Sequence, residues 1–335
     1  MLLSSQIIKQ IATNCGFALC GIAKAEPLVK EKERFEKALS QNFHAKKEYL
    51  ERDIEKRFNP SLLLTHCKSV IVCGFNYNME EKGEGCRSIT YYNSQTPCTQ
   101  QEIKVSKYAQ IKDYHVFMKE KLEKLAHDLQ DIFGVFNSKT TIDSSTISEK
   151  AWAVKAGIGY YGKNGLIQTA YGSYVFLGTL LIDREIDIYD NPNRNSCSFC
   201  NKCIRGCPTQ AIVSPFLVDS NLCISNINLN RKDTDFKRIA KYGWLVGCDA
   251  CQILCPNNFK APVNREAVAM RVSVFDNNNK IPETLSPESF EKYFKDTVIY
   301  PFKYEELKKR IEFITPSHIS NLFFIFQIFV VIALA

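Results

Sequence analysis

Apolar positions recur at helical or strand spacing along the first 190 residues. Residues 6–14 and 29–41 carry apolar side chains three and four apart, which predicts helices. Residues 69–76 (SVIVCGFN) form a β-branched run of strand length, and residues 174–182 (YVFLGTLLI) read as a second buried strand. Between them, 113–129 (DYHVFMKEKLEKLAHDL) sets Val116, Leu122, Leu125 and Leu129 on one expected face with charges opposite, an amphipathic helix. Long helices with few strands predict an α/β layered domain over 1–190. Residues 79–104 are polar and include Gly83, Gly85 and Pro97, so a long surface loop facing a substrate is expected there. A polar linker, NPNRN at 191–195, precedes a cysteine-rich segment extending to 262, and 263–335 reads as helical and polar again. No repeat of solenoid length is visible.

The end of the chain departs from this pattern. Residues 322–335 are apolar apart from Gln327, but a spanning helix needs roughly 20 such residues. They read as a buried terminal helix or strand, or as an altered end of the reading frame, rather than as a membrane anchor.

The length of 335 residues suits one large core and a smaller satellite domain. Charged residues make up 24%, which argues against disorder. A net charge of +7 can attract a polyanion such as nucleic acid, although many enzymes share it. Fourteen cysteines raise the question of disulfides. Residues 1–24 lack the basic start, apolar run and cleavage site of a signal peptide, so a reducing, cytoplasmic setting is expected. There, clustered cysteines bind metal. Cys15, Cys20, Cys67, Cys73, Cys86 and Cys98 show no ligand spacing and read as small buried side chains.

The other eight do show it. Residues 197–208, CSFCNKCIRGCP, hold Cys197, Cys200, Cys203 and Cys207 followed by Pro208, the C-x2-C-x2-C-x3-C-P run of bacterial ferredoxins. Two-residue gaps let three thiolates converge on one 4Fe–4S cubane. The fourth is expected to open a helix toward a second cubane, with the proline in its first turn. Cys223, Cys248, Cys251 and Cys255 complete two sets. By the ferredoxin rule, cluster one takes Cys197, Cys200, Cys203 and Cys255, and cluster two takes Cys207, Cys223, Cys248 and Cys251. Paired structural zincs also use C-x2-C but rarely this triple spacing. Roughly 190 residues precede a module that folds alone in other chains, so the clusters are expected to feed electrons to a reaction elsewhere.

Residues 140–167 (TTIDSSTISEKAWAVKAGIGYYGKNGLI) carry the strongest non-cysteine signal. Thr146 and Glu149 predict a capping box at the start of a helix over 147–156, which Gly157 ends. Asp143 precedes that cap, where its charge alone would favour the helix N-terminus.

The chain resembles the epoxyqueuosine reductases, cobalamin-dependent iron–sulfur enzymes acting on tRNA. The resemblance runs to about residue 313 through GFALCGIAKAEPL (16–28), YLERDIEKRFNPSLLL (49–64), SKYAQIKDYH (106–115), the Asp143 segment with AGIGYYGKN (156–164), and GWLVGCDACQILCP (243–256). It implies a nitroreductase-like layered domain over 1–190 that binds cobalamin base-off together with substrate. It implies a ferredoxin-like domain over 191–262 and a short helical C-terminal part. The implied reaction reduces epoxyqueuosine at the wobble position of a tRNA with a GUN anticodon to queuosine, through Co(I) fed by two 4Fe–4S clusters.

Residue by residue, Asp143 matches the proton donor, a role that requires its carboxyl to stay protonated beside the corrin. Asp113, His115 and Lys150 match positions near the substrate; a satisfied histidine and a solvated lysine fit the latter two as well. Arg57, Ser106, Asp143, Lys163 and Asn164 are candidates for cobalamin contact. Three departures stand out: Thr146 replaces a usual proline, Lys150 a usual arginine, whose bidentate fork is lost, and Asn226 a frequent tyrosine. The helical-repeat extension of longer members does not follow, so tRNA contacts are expected from 30–37, 104–112, 231–241 and 303–310, each of which also fits a solvated face. A flavodoxin- or ferredoxin-type donor, a monomer and no membrane complete the expectation. Alternative readings are a dehalogenase-like cobalamin reductase and a plain electron-transfer protein of ferredoxin type.

Overall fold

Both faces of residues 69–76 are apolar, which places that strand at the centre of the molecule. A computed structural model describes residues 2–79, 103–143, 146–229, 236–275 and 285–314. The first half runs α1 (Ser5–Asn14), β1 (Leu19–Lys24), α2 (Val29–Ser40), α3 (Ile54–Phe58), β2 (Ser69–Asn76), β3 (Lys104–Val105), α4 (Tyr114–Phe133) and β4 (Ser138–Thr141). It continues through α5 (Glu149–Lys155), β5 (Gly159–Tyr161), β6 (Ile167–Thr169) and β7 (Val175–Ile182). The second half adds α6 (Lys202–Arg205), β8 (Ile212–Ser214), β9 (Leu217–Val218), α7 (Ile224–Leu229), α8 (Phe236–Ala240) and β10 (Trp244–Val246). Then come α9 (Ala250–Ile253), α10 (Arg265–Ala269), α11 (Pro287–Phe294) and α12 (Tyr304–Ile314).

Four strands make one antiparallel sheet in the order β1–β2–β7–β4. Ile71, Cys73 and Phe75 of β2 face α1 and α4, where Ile8, Met118, Leu122, Leu125 and Leu129 are buried. Val70 and Val72 face the other way, against Trp152 of α5. A strand covered on both sides reads as a continuous apolar run, which explains SVIVCGFN. On α4 the buried stripe is Met118, Leu122, Leu125 and Leu129, at spacings of four, three and four. Val116 does not join it and is 57% exposed, because it lies on the opposite side of the helical turn.

A third core joins the halves of the chain. Strand β3 pairs in parallel with β10, so a segment preceding the sheet's last strands is hydrogen-bonded within the cysteine-rich region. Val105, Phe236, Leu245, Phe275, Phe294 and Leu307 close this core, drawing α11 and α12 onto α8 and β10. The helix expected to open at Cys207 is absent. Instead Cys207 and Pro208 form a turn, closed by the Gln210 amide on the Cys207 carbonyl, that leads into β8.

Most of the loop expected at 79–104, and the apolar tail at 322–335, lie outside the described residues. Among the described residues, no helix is long and apolar enough to cross a membrane.

Helix α5 packs against β1 so closely that a methyl group on Gly21 would lie 2.1 Å from the Ala156 carbonyl oxygen. Gly157, at φ +75°, then turns the chain out of the helix. Gly21→Ala should cost about 1–3 kcal/mol in urea denaturation, because backbone cannot move aside as a side-chain tip can. A midpoint equal to wild type would contradict this packing.

Candidate active site

All eight ferredoxin-spaced cysteines are free thiols in the structure. Electrostatic neighbours divide them in two. Cys203 and Cys255 each feel Cys197 and Cys200, and Cys203 also feels Cys255. Cys251 feels Cys223 and Cys207, while Cys248 feels Cys251 and Cys223. The structure thus brings together Cys197, Cys200, Cys203 and Cys255, and separately Cys207, Cys223, Cys248 and Cys251. Burial pushes the Cys203, Cys223, Cys248, Cys251 and Cys255 thiols up, and neighbouring thiols push the same way. Such quartets disfavour thiolates until iron supplies compensating positive charge, so the donor set fits clusters. Among the described residues, no three His, Cys, Asp or Glu side chains converge on a single-ion site.

A second constellation forms where α4 begins. Asp113 caps that helix, accepting from the His115 amide at 2.9 Å and meeting His115 Nδ1 at 2.7 Å. His115 Nε2 then lies 3.3 Å from Asp143 Oδ2, which also accepts from the Tyr114 hydroxyl at 2.5 Å. The Tyr114 ring is held by stacking on Phe176, 4.2 Å between centroids. Asp143 itself has φ +29°, a strained value for a side-chain-bearing residue. Its amide donates to Glu149 Oε1 at 2.8 Å. Glu149 therefore does not serve the expected capping box. Helix α5 starts at Glu149 with no side-chain cap, and the carboxylate reaches back to the Asp143 loop instead.

The charges of this site differ from expectation. The hydrogen bond from His115 holds the Asp143 carboxyl below the usual carboxylate range, against the upward pull of burial. Hydrogen bonds to Asp113 and then Asp143 push His115 up to about 9. Burial, reinforced by the charge of Asp143, pushes Glu149 up to about 8. Burial pulls Asp113 upward as well, but its bonds from His115 together keep it low. Asp143 is thus not the protonated member; at neutral pH the protons sit on His115 and Glu149. The Asp143 side chain is 59% exposed, yet burial of part of it still pulls its carboxyl upward.

Two lysines connect this site to the second quartet. Desolvation lowers both Lys47 and Lys150, and both feel the opposing charges of Asp143 and Cys223. Lys150 donates to the Gly165 carbonyl at 3.0 Å. Tyr108, which feels Asp143 and Asp249, has a buried hydroxyl without a partner.

The remaining candidates divide between this site and the clusters. Arg57 donates to the Tyr49 carbonyl at 2.7 Å, keeps a buried Nε without a partner, and through its carbonyl holds the Ser148 amide ahead of α5. Ser106 donates to Asp249 at 2.6 Å, beneath the second quartet. Lys163 donates to the Ser198 carbonyl and to Asn201, both at 2.8 Å, and so anchors the first cysteine loop. Asn164 accepts from Leu166 and bonds to Cys251. Of the basic stretches, 231–235 lies outside the described residues. Arg310 is unavailable to phosphate, being buried, paired with Glu306 at 2.7 Å and set between Phe236 and Phe302. Tyr114, Glu149 and Lys47 are site residues that sequence reasoning passed over. Only the adjacency of Tyr114 to Asp113 and His115 pointed to one of them.

Fold and site together define an iron–sulfur protein in which one of two cysteine quartets neighbours an acid–base site. The family model described as 4Fe-4S double cluster binding domain matches residues 196–258, and that described as Epoxyqueuosine reductase QueG, DUF1730 matches residues 57–144. The Cyclobacterium marinum epoxyqueuosine reductase is 34% identical over 92% of this chain and 96% of its own. The Cellulophaga algicola epoxyqueuosine reductase is 35% identical over 92% and 97%. A crystal structure of epoxyqueuosine reductase with an epoxyqueuosine-modified tRNA-Tyr stem loop aligns over 92% of this chain and 80% of that one, with 25% identity and a TM-score of 0.77. This chain belongs to the epoxyqueuosine reductase family and is an oxidoreductase.

Because its folded pKa is raised, the stabilising His115 charge is fully present below the ordinary histidine value near 6.5 and is lost as pH rises through about 9. NMR of imidazole-labelled protein should show one of the five histidines titrating near 9, moving down in Asp113→Asn. A His115 midpoint near 6.5 would contradict the network.

Proposed function

We propose that this chain reduces epoxyqueuosine at the wobble position of a GUN-anticodon tRNA to queuosine, with cobalamin bound base-off in the cleft and two 4Fe–4S clusters behind it. The observation that carries this reading is that Asp143 and Cys223 act on the same two lysines, Lys47 and Lys150. Acid–base groups and the second cysteine quartet thus share one cleft. The nitroreductase-like description of the sheet domain belongs to the same reading.

The net change takes up two electrons and two protons, converting the epoxide to an alkene and releasing water. When bound, cobalamin supplies a two-electron nucleophile recharged one electron at a time through the clusters. The buried Tyr108 hydroxyl and Arg57 Nε, both without a protein partner, are left with hydrogen-bonding capacity beside the site. Proton delivery falls to the chain itself. Asp113 orients His115, which stores the proton; Asp143, the more exposed partner, passes it to the departing oxygen at Oδ2. Tyr114 steadies that carboxylate, and neutral Glu149 holds the Asp143 backbone without a second negative charge at neutral pH. Lys150 offers positive charge to the oxygen as it develops. The exposed basic residues of α2 and the Lys104–Lys112 stretch are the proposed tRNA contacts, and a monomer fed by a flavodoxin- or ferredoxin-type donor is the proposed working form.

Anaerobic reconstitution with iron, sulfide and cobalamin, then incubation with reductant and an epoxyqueuosine stem-loop, tests the reading by nucleoside mass spectrometry. Loss of one oxygen, dependent on cobalamin, is the expected result; no conversion by fully loaded protein would overturn it. Asp143→Asn should keep clusters and cobalamin yet lose about 10²-fold or more in turnover. Unchanged turnover would remove Asp143 from proton delivery.

A further inference from the structure

The two quartets are not equivalent. Cys223 of one quartet shares the Lys47 and Lys150 neighbourhood with Asp143, while in the other quartet Cys200 is exposed. Beside it, Phe199 is 99% exposed, an unusual state for the middle of a metal-binding motif. This phenylalanine is presented from below. Lys163, a residue only 9% exposed, grips with its ammonium the Ser198 carbonyl on one side of it and the Asn201 side chain on the other. A lysine buried to hold two neutral acceptors fixes the loop around an apolar tip.

The chain segments on either side of that tip carry one sign of charge. Arg194, Lys202, Arg205 and Lys260 are exposed, and Lys202 lies 5.8 Å from the ring centroid of Phe259, itself 44% exposed. No aspartate or glutamate occurs from residue 191 to 218, or from 250 to 265. An apolar centre with a basic rim suits a brief encounter with an acidic protein, in which charge steers approach and a small apolar contact sets the orientation.

We propose that the Phe199 tip and its rim of Arg194, Lys202, Arg205 and Lys260 are the docking site of an acidic single-electron carrier protein, through which electrons enter at the outer cluster. A reduced carrier gives one electron per encounter: its flavin hydroquinone anion becomes the neutral semiquinone, and the outer cluster goes from the 2+ to the 1+ state. Two encounters supply the two electrons of one turnover. The proposal rests on the cluster reading of the quartets and not on the identity of the substrate.

The test uses the full chain loaded with both clusters and an acidic flavodoxin hydroquinone as probe, following cluster bleaching by stopped flow. Phe199→Ala and the double variant Lys202→Glu/Arg205→Glu should each slow bleaching at least tenfold at low salt. Wild-type rates should fall as ionic strength rises, and dithionite should reduce all proteins equally. Because bleaching needs no stem-loop, this result stands or falls separately from epoxyqueuosine conversion. Wild-type bleaching rates in the variants would overturn the proposal. So would weakened stem-loop binding with unchanged bleaching, which would make the patch an RNA surface. Should Phe199→Ala fail to load clusters, the surface charge reversal decides alone.

Discussion

Asp249 lies between two cysteines of the inner quartet and accepts three hydrogen bonds at the seam of the molecule. Its donors are the Ser106 hydroxyl at 2.6 Å, the Lys107 amide at 2.7 Å and the Gln252 amide group at 2.9 Å. Burial raises its pKa, and the same three bonds oppose that rise. Ser106 and Lys107 lead directly to Tyr108 and, one turn later, to Asp113, Tyr114 and His115. Fixing them against Cys248 and Cys251 sets the acid–base groups in register with the inner quartet. Strand pairing of β3 with β10 reinforces the tie with backbone bonds. Bonds from Ser173 to Gln252 and Asn258, and from Asn76 to the Pro262 carbonyl, hold the sheet to the cysteine region along the same seam.

Within the cleft, three ionisable groups lie close enough that each decides the charge of the next. Asp143 stays ionised chiefly through its hydrogen bond from His115, and Glu149 stays neutral because it is buried, with the Asp143 charge adding to that effect. Two carboxyls in one site are driven apart in pKa, which leaves Asp143 charged beside His115 and Glu149 neutral behind it. That arrangement needs the strained backbone at Asp143, and the bond from its amide to Glu149 offsets part of the strain.

Much of the architecture was legible because it rests on local pattern. The run at 69–76 returned as β2 with the same bounds, and the helix expected over 113–129 returned as α4, longer by one turn. What sequence misjudged were contacts made across space. Glu149 matches a capping box by spacing, yet the Asp143 amide competes for the same oxygen and wins. Nothing in the sequence signalled that the Lys163 ammonium finds two acceptors in the cysteine loop, 35 and 38 residues along the chain. Val116 satisfies a helical spacing with Leu122 only loosely, and Met118 fits the stripe better. No motif announces Lys47, because its place depends on a loop folding over Cys223 and Asp143.

The central claim is that the inner quartet, and not the outer one, communicates with the cleft. Electron paramagnetic resonance on the chain loaded with both clusters and cob(II)alamin tests it most directly. Magnetic coupling between cobalt and a reduced cluster should persist in Cys200→Ser and disappear in Cys223→Ser. Coupling that survives Cys223→Ser but is lost in Cys200→Ser would contradict the account.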